Sequence, residues 1–214
     1  MTQRNKRIFK CPKCNSEFTM DIYDVINVKE DEHLVERVLS GDCFVAECPK
    51  CHSRFVVQHD CLYHNPDKKF MVYLCHEKIT ADGFDMDRMN TQGYTLRWCK
   101  DIGSFIEKIQ VLEDGLDDRA VEFAKYDSFI DYIQNKGEHS DITGIYYQEI
   151  DNGVLKIKVE LDDKAFGAMI PYDALIAEME EYADMFALET DFFPCVDSKW
   201  IIDIFEEAQE NLVA

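Results

Sequence analysis

Apolar and polar positions alternate in short stretches through the first hundred residues and take on helical spacing after them. Ile8-Phe9 and Phe44-Val45-Ala46 each lead into a cysteine-bearing loop, and Phe18 to Ile22 and Phe55-Val56-Val57 lead out of them. Each pair of segments predicts a β-hairpin with the cysteine loop as its turn. Between the loops, Leu34, Val35, Val38 and Leu39 recur at helical spacing and Ser40-Gly41 closes the run, which predicts a helix over 31–39.

Phe70 to Cys75 and Tyr94 to Trp98 read as strands separated by the turn signals Asp82-Gly83 and Gln92-Gly93. They extend the sheet beyond the cysteine hairpins. Ser104 followed by Glu107 is a capping-box pattern that opens a helix ending near Asp114-Gly115, and Asp117 or Asp118 starts another running to about Gln134. The two form a helical hairpin. Residues 145–150 and 154–161 flank Asp151-Asn152-Gly153 as a β-hairpin; Pro171 enters a helix reaching about Phe186, and Ser198 caps a last one. The expected class is α+β: zinc-ribbon-like β-hairpins extended into an antiparallel sheet, a helical hairpin, then a C-terminal β-hairpin and two helices. The change of pattern after Gly137 divides this into a metal-binding domain, 1–137, and an acidic α+β region, 138–214.

The two cysteine loops are copies of one another. Cys11-Pro12-Lys13-Cys14-Asn15-Ser16-Glu17-Phe18 returns 37 positions later as Cys48-Pro49-Lys50-Cys51-His52-Ser53-Arg54-Phe55, matching at six of eight positions. Two C-x2-C loops suit a tetrahedral zinc ion, because a two-residue spacer lets one tight turn aim two sulfurs at one centre about 2.3 Å away. The expected ligands are Cys11, Cys14, Cys48 and Cys51. Pro12 and Pro49 fix the turn and leave the following N–H groups free to donate to sulfur. The residue after the second cysteine needs a left-handed backbone, and Asn15 and His52 are types that tolerate it. A four-thiolate zinc site carries about −2, and Lys10, Lys13, Lys50 and Arg54 flank the loops where they offset it.

Composition narrows the context. With 214 residues and 46% of them apolar, the chain buries a core without disulfide staples. The nine cysteines, partly in C-x2-C pairs, then point to metal or redox chemistry in a reducing, cytoplasmic setting. The basic start Arg4, Lys6, Arg7 runs into the first loop with no apolar stretch of signal-peptide length, and no segment reads as membrane-spanning. Residues 1–80 hold 12 basic and 12 acidic side chains, whereas the remainder holds 11 and 31 and carries the whole net charge of −20. The acidic part repels nucleic acid, so any such binding falls to Arg4, Lys6, Arg7, Lys10 and Lys13.

The leading reading is a structural zinc module that docks a protein partner, since a closed four-thiolate shell leaves no open position for substrate. The alternatives are an enzyme, by thiol-disulfide exchange at C-P-K-C or by hydrolysis with carboxylates of the acidic part, and weak nucleic-acid binding by the basic N-terminus. That tail against the acidic half of a second copy is a route to a homo-oligomer. Cys43, Cys61, Cys75, Cys99 and Cys195 have no paired spacing and read as buried small residues; Cys61 with His59 and His64, or Cys75 with His76, is the alternative second metal site. Asp82, Asp85 and Asp87, and Glu113, Asp114, Asp117 and Asp118, are loop and cap carboxylates before they are cation ligands.

These residues resemble the CpXC-domain family of bacterial and archaeal proteins. The likeness covers roughly 8–135 and includes Leu39-Ser40-Gly41 before the second motif, Leu62 to Met71, and Glu113 to Glu122. It implies a prokaryotic protein with a four-cysteine site at Cys11, Cys14, Cys48 and Cys51.

Overall fold

The computed structural model describes residues 1–77, 92–135, 137–188 and 192–213. The turn at Asp82-Gly83 and the carboxylates Asp85 and Asp87 lie outside them. The chain forms two compact units, one of Met1–Gln110 with Phe192–Pro194 and one of Val111–Asp191 with Cys195–Ala214.

In the first unit, β1 (Gln3–Lys10) and β2 (Glu17–Asn27) form an antiparallel hairpin, and α1 (His33–Leu39) follows. A 3-10 turn at Asp42–Phe44 leads to the short strands β3 (Val45–Glu47) and β4 (Arg54–Val56), which pair with each other as a two-stranded sheet. Then come β5 (Cys61–Asn65), β6 (Phe70–Leu74) and β7 (Thr95–Cys99). The five-stranded sheet has the order β1-β2-β5-β6-β7. Its β1–β2 and β5–β6 pairs are antiparallel hairpins, and the crossings β2–β5 and β6–β7 are parallel. The first crossing carries α1 and the second cysteine hairpin, an excursion long enough for a parallel return.

Apolar spacing sets the faces. Leu34 and Val38 of α1 are buried, as are Ile22, Ile26, Tyr63, Phe70, Val72 and Leu74 of the sheet. Tyr63 and Phe70 stack at 5.8 Å between ring centres. Gly41, at φ 77°, turns the chain after α1 so that Phe44 enters this core, edge-on to Phe105 at 5.8 Å. Full burial of such side chains contributes roughly 1.5–3 kcal/mol each.

The division between the units falls within α2 (Ile102–Glu113). Its cap is Asp101 and not Ser104: the Asp101 carboxylate accepts the Ser104 N–H at 2.9 Å and its hydroxyl at 2.7 Å. An ionised cap interacts with the helix dipole as well as the N–H, which favours Asp over the serine three residues on.

The second unit contains α3 (Asp118–Asn135), a 3-10 turn at His139–Asp141, β8 (Ile142–Asp151), β9 (Val154–Leu161), β10 (Ala165–Pro171), α4 (Tyr172–Glu181) and α5 (Ser198–Val213). The hairpin expected around Asn152-Gly153 is β8–β9. Both turn residues have positive φ, 49° and 77°, as a type I′ turn requires. β10 makes it a three-stranded sheet of order β10-β9-β8. Central β9 alternates strictly, burying Leu155, Ile157, Val159 and Leu161. Leu155 and Ile157 share a core with Ala120, Val121 and Phe123 of α3, Leu175 and Met179 of α4, Phe186, and Ile201 of α5.

Pro171 ends β10 and precedes α4, which stops at Glu181 rather than running to Phe186. Glu178, Glu180, Glu181 and Asp184 place carboxylates at the negative end of the helix dipole, which favours stopping there. The cap of α5 is Asp197, whose carboxylate accepts the Trp200 N–H at 2.9 Å, and Ser198 is the first helical residue. No described helix is long and apolar enough to cross a membrane.

Candidate metal centre

The first cysteine loop joins β1 to β2 and the second joins β3 to β4, so each repeat sits at a hairpin tip. Within each loop the backbone makes the same two bonds. Cys11 N–H donates to Ser16 O at 2.9 Å and Asn15 N–H to Cys11 O at 2.9 Å; Cys48 N–H donates to Ser53 O at 3.0 Å and His52 N–H to Cys48 O at 2.9 Å. Closing so tight a loop drives Asn15 and His52 into the left-handed region, at φ 57° and 56°. Below the loops, Phe18 and Phe55, the last residues of the repeated frame, meet edge to face at 6.1 Å.

The four sulfurs of Cys11, Cys14, Cys48 and Cys51 lie within 4.8 Å of one another. The loops interleave: Cys11 Sγ is 3.6 Å from Cys51 Sγ, and Cys14 Sγ is 3.6 Å from Cys48 Sγ. Sulfurs about 2.3 Å from a tetrahedral zinc would be ~3.8 Å apart. The donor set therefore fits an ion of that size and softness. Among the described residues these four cysteines are the one cluster of three or more metal-ligating side chains.

The serines of the frame have a part that spacing alone did not assign. Ser16 Oγ lies 3.0 Å from Cys14 Sγ and 3.3 Å from Cys48 Sγ; Ser53 Oγ lies 3.1 Å from Cys51 Sγ and 3.3 Å from Cys11 Sγ. Their recurrence at one frame position was the signal available in the sequence. The hydroxyls favour thiolate. Ser16, aided by the Cys51 and Lys50 N–H groups against burial, draws the Cys48 thiol down to about 6, and Ser53 lowers Cys11 likewise. For Cys51 the hydroxyl and N–H of Ser53 pull down, but burial and the neighbouring Cys14 and Cys11 outweigh them and the thiol is raised. Four sulfurs this close resist ionising together unless a cation lies among them.

The other candidates take different roles. Cys43, Cys61, Cys75 and Cys99 are buried; burial raises the thiols of Cys61 and Cys75 and pushes Cys43 up to about 11. Half-exposed Cys195 donates to Asp197 at 3.3 Å. His59 Nδ1 pairs with Asp60 O at 2.9 Å, and His64 Nε2 with the Tyr94 hydroxyl at 3.3 Å. Asp117 accepts the Arg119 N–H at 2.9 Å at the start of α3 and grips the Arg119 guanidinium, and Asp114 accepts the Tyr147 hydroxyl at 2.7 Å.

The basic residues at the N-terminus are strand residues rather than a tail. Arg4 pairs with Asp21, and Arg7 pairs with Asp24 at 2.8 Å, both across the β1–β2 hairpin. Lys10, Lys13, Lys50 and Arg54 remain exposed around the loops.

Two interleaved C-P-x-C loops at hairpin tips define a protein with a four-cysteine cluster. The family model for CpXC protein matches residues 9–125, more than half of the chain, and the chain belongs to the CpXC family. No curated protein and no solved structure matches it.

Proposed function

We propose that Cys11, Cys14, Cys48 and Cys51 hold one zinc ion with a structural role, in a cytoplasmic module that docks a protein partner. The observation that carries the reading is the mutual closeness of four sulfurs drawn equally from both loops. Four protein ligands complete a tetrahedral shell, leaving no position for substrate, so the ion would tie the hairpins together rather than activate a water. Zinc would supply the two positive charges that let neighbouring thiolates coexist.

Open β-structure supports a protein partner. β1 lies at a sheet edge with nearly all its residues exposed, and Ile8 and Val56 present apolar side chains to solvent. Nucleic-acid binding draws less support, because Arg4 and Arg7 already face carboxylates of β2. Elemental analysis of protein purified without added metal tests the ion: one zinc per chain, lost together with thiol protection on chelation, is the expected result. Iron in its place, or none, overturns it.

A further inference from the structure

We propose that Ser16 and Ser53 are positioning residues of the metal centre, each donating its hydroxyl proton across the repeat to the buried sulfur of the opposite loop, Ser16 to Cys48 and Ser53 to Cys11. This rests on the metal reading above and adds a direction to it.

Each hydroxyl reaches two sulfurs, its own loop's at 3.0 or 3.1 Å and the other loop's at 3.3 Å. A hydroxyl carries one proton, so it cannot serve both fully. Solvent decides between them. Cys11 and Cys48 have 0% exposure, so water cannot donate to their sulfurs, whereas Cys14 and Cys51 are half-buried and water can reach them. The loop backbone gives Cys48 the N–H groups of Lys50 and Cys51, Cys11 those of Lys13 and Cys14, and Cys51 that of Ser53. What differs is the remaining acceptor capacity of each sulfur: water can fill it at Cys14 and Cys51, while at Cys11 and Cys48 the crossed hydroxyl supplies the donor that water cannot. The same arrangement in both copies follows from the repeat: a serine five residues after the first cysteine reaches the first cysteine of the other loop. Each loop then supplies its partner with a donor as well as sharing its ion, which couples the two half-sites.

The test uses the full chain loaded with zinc, as wild type, S16A, S53A, S16T and S53T. Zinc content is measured first, then the rate at which N-ethylmaleimide labels each cysteine, resolved by mass spectrometry. The expected result is that S16A speeds labelling of Cys48, and S53A that of Cys11, by about tenfold, the scale of outer-sphere substitutions at metal sites. S16T and S53T, which keep the hydroxyl, restore protection. Acceleration at Cys14 and Cys51 instead, equal acceleration at all four cysteines, or no change overturns the crossed assignment. An alanine variant that loads no zinc supports it if its threonine counterpart loads fully and protects the predicted sulfur, and counts against it otherwise. Wild type without metal overturns the metal reading and this assignment together, while zinc-loaded wild type with unresponsive variants overturns this one alone.

Discussion

Asn15 and His52, 37 positions apart, occupy the same left-handed turn, with φ 57° and 56° and with both N–H groups 2.9 Å from the carbonyl oxygen of the first cysteine of their loops. The turn, and not the side chain, is what the two loops share at this position. A β-branched residue suits that backbone poorly, so His52→Val should cost about 1–2 kcal/mol and Asn15→Val a similar amount. His52→Gly should leave stability within about 1 kcal/mol of wild type. Denaturant unfolding of the zinc-loaded variants measures the difference, and equal stability of His52→Val and His52→Gly would contradict it.

Acid should release the ion, because the ligands must be deprotonated to bind it. The metal-free sulfurs add a dependence of their own. The Cys48 thiol is drawn from 9.0 to about 6 in the folded chain, so its contribution is present above 9.0 and disappears as pH falls through about 6. Stability of the metal-free chain should therefore decline on acidification across this window, and Cys48→Ser should flatten the decline. A pH series of unfolding midpoints for both chains checks it.

Tyr147 is buried and donates its hydroxyl to Asp114 at 2.7 Å. Tyr147→Phe removes that bond at a cost of about 1–3 kcal/mol. Burial, then the Asp114 hydrogen bond, raises the phenol above its ordinary 10.0, so this contribution is complete below pH 10 and fades as pH climbs through the higher folded value. The variant should be less stable at neutral pH and lose less than wild type in alkali. Parallel alkaline limbs would count against this.

Ile157, 1% exposed on central β9, faces a core shared with α3, α4 and α5. Ile157→Ala should cost about 2–5 kcal/mol, whereas Lys156→Ala beside it should leave stability nearly unchanged. Calorimetry of the two variants tests the strict inside-outside alternation of the strand.

Asp101→Ala should weaken the start of α2 by about 1 kcal/mol through loss of two hydrogen bonds, and Ser104→Ala by less, since the backbone N–H of Ser104 keeps its acceptor. The order of the two effects, read by denaturant unfolding, separates the aspartate cap from the serine cap that the sequence pattern suggested.

Elements marked by strong periodicity or by repetition were legible from residues alone. The cysteine hairpins, the helix after Asp31, the Asn152-Gly153 turn and the α+β class are all present. Weakly patterned strands were not. β10 reads Ala-Phe-Gly-Ala-Met-Ile-Pro, where small residues of low strand preference obscure the alternation, and short β5 is interrupted by polar His64 and Asn65. Helix starts shifted because serine and aspartate compete as caps, and the charged residue won at Asp101 and Asp197. The parallel pairing of β2 with β5 was invisible because it joins strands separated by a whole hairpin and a helix. At the candidate centre the four sulfurs were legible from spacing, while the reach of Ser16 and Ser53 across to the other loop depends on how two distant hairpins meet.

The duplicated loops are unequally moored. One crowns a hairpin woven into a five-stranded sheet, the other a pair of three-residue strands with no further strand beside them among the described residues. If the four sulfurs hold an ion as proposed, copies that share a motif would differ in what remains once it is removed: the first would keep its scaffold, and the second would lose a main tether. Demetallation should therefore loosen Val45–Glu47 and Arg54–Val56 before it disturbs the first hairpin, an asymmetry that amide exchange would display as a fast half and a slow half of one repeat.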